Sequence, residues 1–151
     1  MRCKSNKTKN LFFVIKSLLF LITISFFGCK PLISLYDQYA YTEAISLKVD
    51  MQNLMLESDS IKYADAKLDI SRVNTELQKA YEYAKGRSNN SLSTKQYAIL
   101  LSEDGFYKSS LRTWQKQDTL SSTSASLKSD KIGQLLDQII KLENGKNKAS
   151  N

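Results

Sequence analysis

Few side chains in this sequence are of the types that carry enzyme chemistry. There is no histidine, which removes Ser–His and Cys–His nucleophilic pairs and histidine-ligated metal sites. Two carboxylate pairs remain, Asp65 with Asp69 and Glu103 with Asp104, and glycosidases do use two carboxylates. Arg72 follows Asp69 by about one helical turn, which is typical of a solvated helix face. We therefore predict no enzyme, no metal and no cofactor.

Tyrosine is the most prominent remaining residue type. All eight tyrosines follow residue 29, and an aromatic ring can stack on a glycan or anchor a partner protein. More often a tyrosine lies at the edge of a core, with its ring buried and its hydroxyl in water. We favour the core interpretation and keep the contact interpretation open. The candidate ligand or partner contacts are Tyr36, Tyr39, Tyr81, Tyr83 and Trp114.

The start of the chain has the features of a secretory signal. Residues 1–16 are basic, and residues 18–27 (LLFLITISFF) form a hydrophobic stretch. Secretory signals need about 7 to 15 apolar residues, whereas a transmembrane helix needs about 20. The alternative is an uncleaved anchor that extends back through Lys16.

Residues 25–29 (SFFGC) resemble the lipobox of bacterial lipoproteins, in which a small residue precedes a cysteine that becomes the first mature residue. Gly28 and Cys29 match this pattern, whereas Phe26 and Phe27 depart from it. The resemblance implies cleavage between Gly28 and Cys29 and attachment of palmitate-type acyl chains to Cys29. The alternative is a chance cysteine after a signal peptide or a short anchor. Two or three chains on one residue hold durably, so no later hydrophobic span is needed.

These features divide the chain into four parts. They are a lipoprotein signal peptide (1–28), a lipidated tether (29–34), a helical domain (35–145) and a disordered tail (146–151). In such lipoproteins the residue after the cysteine helps to decide sorting, and Lys30 resembles an outer-membrane signal. We expect a protein of the cell envelope, anchored in the outer membrane and facing the periplasm.

The charge of the chain is concentrated in its leader. The net charge is +7, but residues 1–28 contain basic side chains and no acidic one. In the remainder, basic and acidic residues are interspersed and nearly balanced, which indicates a solvated surface and no phosphate-binding stripe. We predict no nucleic-acid partner. Cleavage before Cys29 would leave one cysteine, so no disulfide can form within the chain.

Apolar residues after the tether recur at steps of three and four, which predicts helices and no sheet. The predicted fold is all-α, a small bundle built around an antiparallel hairpin of helices at 35–57 and 60–85. A continuous or kinked helix is the alternative. The sequence at 58–60 (SDS) would cap the second helix, and Gly86 would end it in the left-handed conformation.

The second half predicts three shorter helices. A capping box at 93–96 (STKQ), with Ser93 as the cap, predicts the start of the third helix. A turn at 104–105 would precede the fourth. The sequence at 119–126 (TLSSTSAS) is interpreted as a polar linker, and the last helix is expected to end near Gly145.

Residues 79–100 (KAYEYAKGRSNNSLSTKQYAIL) resemble a stretch in a family of small, uncharacterised bacterial lipoproteins. The resemblance also touches residues 36–57. It implies a lipid anchor and a helical domain, and it implies no activity.

The sequence therefore predicts a membrane-anchored envelope lipoprotein with a non-enzymatic helical interaction module. Its expected partners are the membrane, through covalent lipid on Cys29, and an envelope protein. The alternative is a module that binds a ligand or a cell-wall glycan in a Tyr-lined groove.

Overall fold

The computed structural model describes residues 33–149, so the predicted signal peptide, Gly28 and Cys29 lie outside the described residues. Within that range the chain forms helices and no strand, which confirms the predicted all-α bundle. No helix between residues 33 and 149 has the length and apolar character that crossing a bilayer requires. The helices are α1 (Gln38–Glu57), α2 (Lys67–Gly86), α3 (Ser91–Leu101), α4 (Phe106–Gln117) and α5 (Ser122–Ala149).

Helix α1 begins at Gln38, three residues later than predicted. Asp37 has an extended backbone, and its Oδ1 accepts hydrogen bonds from the backbone amides of Tyr39 (2.9 Å) and Ala40 (3.2 Å). This is an N-cap, which fixes where a helix starts by satisfying its first free amides. At the other end, the hydroxyl of Ser58 donates to the carbonyl of Met55. Ser58 therefore closes α1 and does not open α2.

The chain between α1 and α2 is bonded to the last turn of α4 and to the chain that follows it. The amide of Tyr63 donates to the carbonyl of Asp118 at 2.9 Å, and the indole N–H of Trp114 donates to the carbonyl of Ile61 at 3.1 Å. Because these bonds hold the connection in a non-helical path, α2 starts at Lys67. The predicted start near residue 60 was wrong.

Helices α1 and α2 form the predicted antiparallel hairpin. Near the start of α1 the hydroxyl of Tyr83 donates to Asp37 at 2.6 Å, and towards its end Arg72 lies 3.7 Å from Asp50. The residue numbers rise along one helix as they fall along the other. The alternative of one continuous helix is therefore excluded.

Helix α1 packs most extensively against α5, which is also antiparallel to it. Lys48 contacts Asp137 at 2.7 Å, and the hydroxyl of Ser129 donates to the carbonyl of Gln52 at 3.1 Å. Helix α5 therefore contributes to the core of the bundle together with the α1–α2 hairpin. The largest fully buried apolar side chains are Leu47, Met51, Met55, Val73, Leu77, Leu100, Tyr107, Trp114, Ile132, Leu136 and Ile139.

The left-handed residue after α2 is an asparagine. Gly86 has a negative φ and is the last residue of α2, whereas Asn89 has a φ of 57°. Asparagine tolerates this conformation better than other residues that carry a Cβ. The expectation that Gly86 ends α2 in the left-handed region was wrong.

Helix α5 is longer at both ends than predicted. It begins at Ser122 and continues through Gly145 to Ala149. Leu120 and Ala125 are buried within the stretch interpreted as a polar linker, and this apolar burial orders it. Lys146 is buried as well, so the prediction of a helix end near Gly145 followed by a disordered tail was wrong as far as residue 149.

Two glycines provide a test of this backbone. A Cβ at Gly105 would overlap the carbonyl oxygen of Ile99 and lie 2.8 Å from that of Ser102. We expect Gly105→Ala to cost about 1–3 kcal/mol, since backbone would have to shift. Gly145→Ala meets no atom within 4 Å and should stabilise the helix by about 0.5–1 kcal/mol. Urea unfolding measures both. Destabilisation by Gly145→Ala would contradict the continuous helix.

Candidate functional site

A buried ionic cluster lies where the α2–α3 connection meets the last turns of α5. We call it the Glu143 cluster, and its members are Arg87, Asn90, Ser93, Glu143 and Lys146. The Glu143 side chain is 1 % exposed. Its Oε2 accepts from Arg87 at 3.0 Å, and its Oε1 accepts from Ser93 at 2.6 Å and from Lys146 at 2.5 Å. The buried carboxylate is thus paired with two cations and a hydroxyl.

Asn90 and Ser93 stand near the start of α3 but do not cap it. The side-chain amide of Asn90 donates to the carbonyl of Ala84 at 2.9 Å, which closes α2. Its Oδ1 accepts from Lys146 at 2.5 Å. Ser93 is the third residue of α3, and its hydroxyl donates into the cluster. The predicted capping box with Ser93 as the cap was therefore wrong.

The cluster also binds the chain that leads into α1. The amide of Ser34 donates to the carbonyl of Asn89 at 3.0 Å, and its hydroxyl donates to Asn90 Oδ1 at 3.0 Å. Arg87, besides contacting Glu143, donates to the carbonyl of Leu35. Backbone and side chain of the entering segment are therefore both fixed to the end of the bundle.

Asp37 extends this network to the N-terminus of α1. Its Oδ2 accepts from the Tyr83 hydroxyl at 2.6 Å and lies 3.6 Å from Arg87 Nε. Burial raises the pKa of Asp37, but the hydrogen bonds from Tyr83 and from backbone amides, with the charge of Arg87, outweigh it and lower the pKa below 3.8. The same hydrogen bond raises the pKa of Tyr83.

Ser93 and Lys146 are 3.3 Å apart, which is the spacing of a serine nucleophile and a lysine base. Burial lowers the pKa of Lys146, while the hydrogen bond and charge of Glu143 oppose this shift. A base must be neutral, and contact with a carboxylate favours the ammonium form. The Ser93 hydroxyl is buried and already donates to Glu143. The contact between Ser93 and Lys146 is therefore typical of a structural hydrogen-bond network and not of a nucleophile with its base.

The two carboxylate pairs form no buried acid site. Asp65 precedes α2, whereas Asp69 lies in its first turn and contacts Arg72 at 3.6 Å. Glu103 contacts Arg112 at 3.7 Å and is largely exposed. Solvated ion pairs of this kind are typical of a helical surface.

Three of the candidate aromatic residues lie at the same end of the bundle as the Glu143 cluster. The rings of Tyr39 and Tyr83 meet edge to face, with centroids 4.8 Å apart. Tyr36 lies 6.3 Å from the ring of Tyr41. Tyr39 and Tyr83 are partly exposed, so this group remains available for contact.

The other two candidates have different contacts. Tyr81 packs partly buried against the core, with Lys85 5.6 Å from its ring. Trp114 is 0 % exposed and contacts Tyr63 edge to face at 5.7 Å. The core interpretation therefore holds for Trp114. The five residues do not form one groove.

Two of the cavities on the surface of the described residues adjoin residues discussed above. One, of about 640 Å³, lies beside α2 and includes Tyr63, Asn74, Gln78 and Gln115 in its wall. The other, of about 370 Å³, lies against the Glu143 cluster. Its wall is formed by Ile33, Asn89, Asn90, Ser91, Leu92, Ser93, Lys141, Leu142, Gly145 and Lys146.

Sequence reasoning did not find the Glu143 cluster, although a signal for it exists. The buried positions Ile132, Leu136 and Ile139 follow steps of four and three, and the next steps lead to Glu143 and Lys146. Charged residues that continue an apolar stripe indicate a buried ion pair.

No protein-family model, no curated protein and no solved structure matches this chain.

Removing the buried carboxylate tests the cluster. We expect Glu143→Ala to cost about 3–5 kcal/mol, because Arg87 and Lys146 would stay buried without their counter-charge. The matched control, Glu103→Ala, removes an exposed ion pair and should cost about 0–1 kcal/mol. Urea unfolding compares the two variants. Equal losses would show that the Glu143 cluster does not hold the bundle.

The Asp37 network predicts a pH dependence. Because the folded pKa of Asp37 lies below 3.8, its carboxylate stabilises the fold above that pH and loses this effect as the pH falls through the folded value. Tyr83→Phe removes a hydrogen bond to the carboxylate and should raise the folded pKa of Asp37. Titration of the Asp37 carboxyl carbon by NMR measures the shift. An unchanged pKa would contradict the role of Tyr83.

Proposed function

We propose that this protein is an envelope lipoprotein whose helical domain is a non-enzymatic interaction module held in a fixed orientation at its membrane. The anchor of the proposal is Cys29, which follows a hydrophobic stretch and Gly28. The observation that carries the orientation is the attachment of Ser34 to Asn89 and Asn90. The first described residues after the proposed anchor are thus part of the folded bundle.

The short tether limits the distance between anchor and domain. Ser34 comes five residues after Cys29, and an extended chain of that length spans at most about 18 Å. An attached Ser34 brings the Glu143 end of the bundle near the bilayer. The opposite end, at the α1–α2 connection, lies about 30 Å further along α1. An outer-membrane location that faces the periplasm fits Lys30 and belongs to the same proposal.

The exposed face of α1 is the feature that favours a protein partner. Its charged residues lie at the edges, where Lys48 contacts Asp137 and Asp50 contacts Arg72. The face between these edges is uncharged and partly apolar, and such a face suits a protein interface. Its exposed residues are Thr42, Ile45, Ser46, Val49, Asn53 and Leu56.

Mass spectrometry of the mature N-terminus tests the anchor. In the native host we expect a chain that begins at Cys29 and carries acyl chains, because two or more chains are needed for durable attachment. Cys29→Ser should abolish the modification and release the protein from the membrane fraction. An intact leader joined to residue 29, or an unmodified thiol, would contradict the proposal.

Site-specific photocrosslinking in cells tests the module. A crosslinker at Val49, on the uncharged face of α1, should give a discrete protein adduct. The same group at Leu68, which is exposed on α2, should not. Identical adducts at both positions would contradict an α1 interface. Saturable binding of cell-wall fragments that Tyr63→Ala abolishes, together with no adduct at Val49, would favour the ligand-binding alternative.

A further inference from the structure

We propose that the Glu143 end of the bundle is itself a membrane-contact surface, formed by Ile33, Leu35, Leu92 and Lys141 and directed at anionic lipid headgroups. This inference rests on the proposed lipid anchor and adds a second, non-covalent contact to it. We call these four residues the contact surface.

Apolar side chains are exposed at this end of the molecule. Ile33 is 38 % exposed, Leu35 65 % and Leu92 56 %. Ile33, in the segment before α1, and Leu92, in the first turn of α3, lie in the wall of the same cavity. Leu35 follows Ile33 by two residues, and its backbone is fixed to the same end of the bundle because its carbonyl accepts a hydrogen bond from Arg87. Apolar side chains on a rigid support can enter the headgroup region without unfolding any structure.

Positive charge lies beside these apolar groups. Lys141 is exposed and lines the same cavity as Ile33 and Leu92. The first turn of α3 also faces this cavity, and no side chain caps it, because Asn90 closes α2 instead. A helix N-terminus carries a partial positive charge. Apolar groups flanked by positive charge match the chemistry of an anionic bilayer surface.

The short chain between Cys29 and Ile33 favours the bilayer, and not a protein, as the partner of the contact surface. Ile33 comes four residues after Cys29, so an extended chain places it at most about 14 Å from the proposed lipidated sulfur. A protein partner could approach any face of the bundle. A bilayer that holds the acyl chains must lie close to this one.

Tryptophan quenching in vesicles tests the contact surface. The lipidated full-length mature protein is reconstituted into phosphatidylethanolamine–phosphatidylglycerol vesicles whose acyl chains carry bromine. Leu92→Trp should lose on the order of half its emission, because an interfacial segment lies about 5–10 Å into the headgroup and acyl boundary. The matched control is Leu68→Trp, 84 % exposed near the start of α2, and it should not be quenched. Native Trp114 is fully buried and gives a constant background.

Charge reversal tests the electrostatic part. In the Leu92→Trp protein, Lys141→Glu should reduce the quenching at low salt, because the contact surface then repels anionic headgroups. Lys116→Glu makes the same charge change at the end of α4, near the opposite end of the bundle, and should leave the quenching unchanged. An equal effect of both reversals would overturn the role of Lys141.

The result for the contact surface is separable from the result for the anchor. Mass spectrometry of the same preparation establishes whether Cys29 carries lipid, and an unmodified Cys29 refutes the proposed function. If Cys29 is lipidated and Leu92→Trp is quenched no more than Leu68→Trp, the contact surface is refuted while the anchor stands. Crosslinks from position 92 to a protein, with no quenching by lipid, would likewise overturn it in favour of a protein partner.

Discussion

The structure depends on one buried carboxylate. Glu143 has almost no contact with water, and a charge in that environment is tolerated only when it is paired and hydrogen-bonded. Its partners come from different segments: Arg87 follows α2, Ser93 belongs to α3 and Lys146 is on α5. Lys146 shares α5 with Glu143, so the bonds from Arg87 and Ser93 are the ones that tie α5 to the end of α2 and to α3, and separating these segments would leave buried polar groups without their partners. The cluster therefore specifies an arrangement as well as contributing to stability.

The two ends of the bundle are closed by different interactions. At one end the Glu143 cluster fixes the chain at Ser34 and Leu35. At the other end, backbone hydrogen bonds and the indole of Trp114 join the α1–α2 and α4–α5 connections. The end next to the proposed anchor has a buried ionic cluster, whereas at the far end the ion pair of Lys62 and Asp118 is exposed to solvent, so the two ends are chemically distinct. The chain before α1 is therefore bonded to one chemically defined end of the bundle, at Ser34 and Leu35.

Periodicity predicted the helices because it reports local burial, and local burial is what the core of this bundle uses. It failed where distant residues decide the structure. Ser93 has the residue type and spacing of a cap, yet Glu143, fifty residues later, takes its hydroxyl. Residues 58–66 contain good capping chemistry but are bonded to the chain near Asp118. Lys146 looks like part of a polar tail and is buried because Asn90 and Glu143 accept its hydrogen bonds.

The contact surface can be weak and still orient the protein. With the proposed acyl chains holding Cys29 in the bilayer, contact by Ile33, Leu35 and Leu92 would be an intramolecular event, and a short tether would give an effective concentration on the order of millimolar. A surface with only millimolar affinity would then be occupied about half of the time. A strong surface would make the acyl chains unnecessary. Three exposed apolar residues and one exposed lysine are therefore enough to orient a chain that has the proposed covalent attachment, provided that the buried cluster holds them in place.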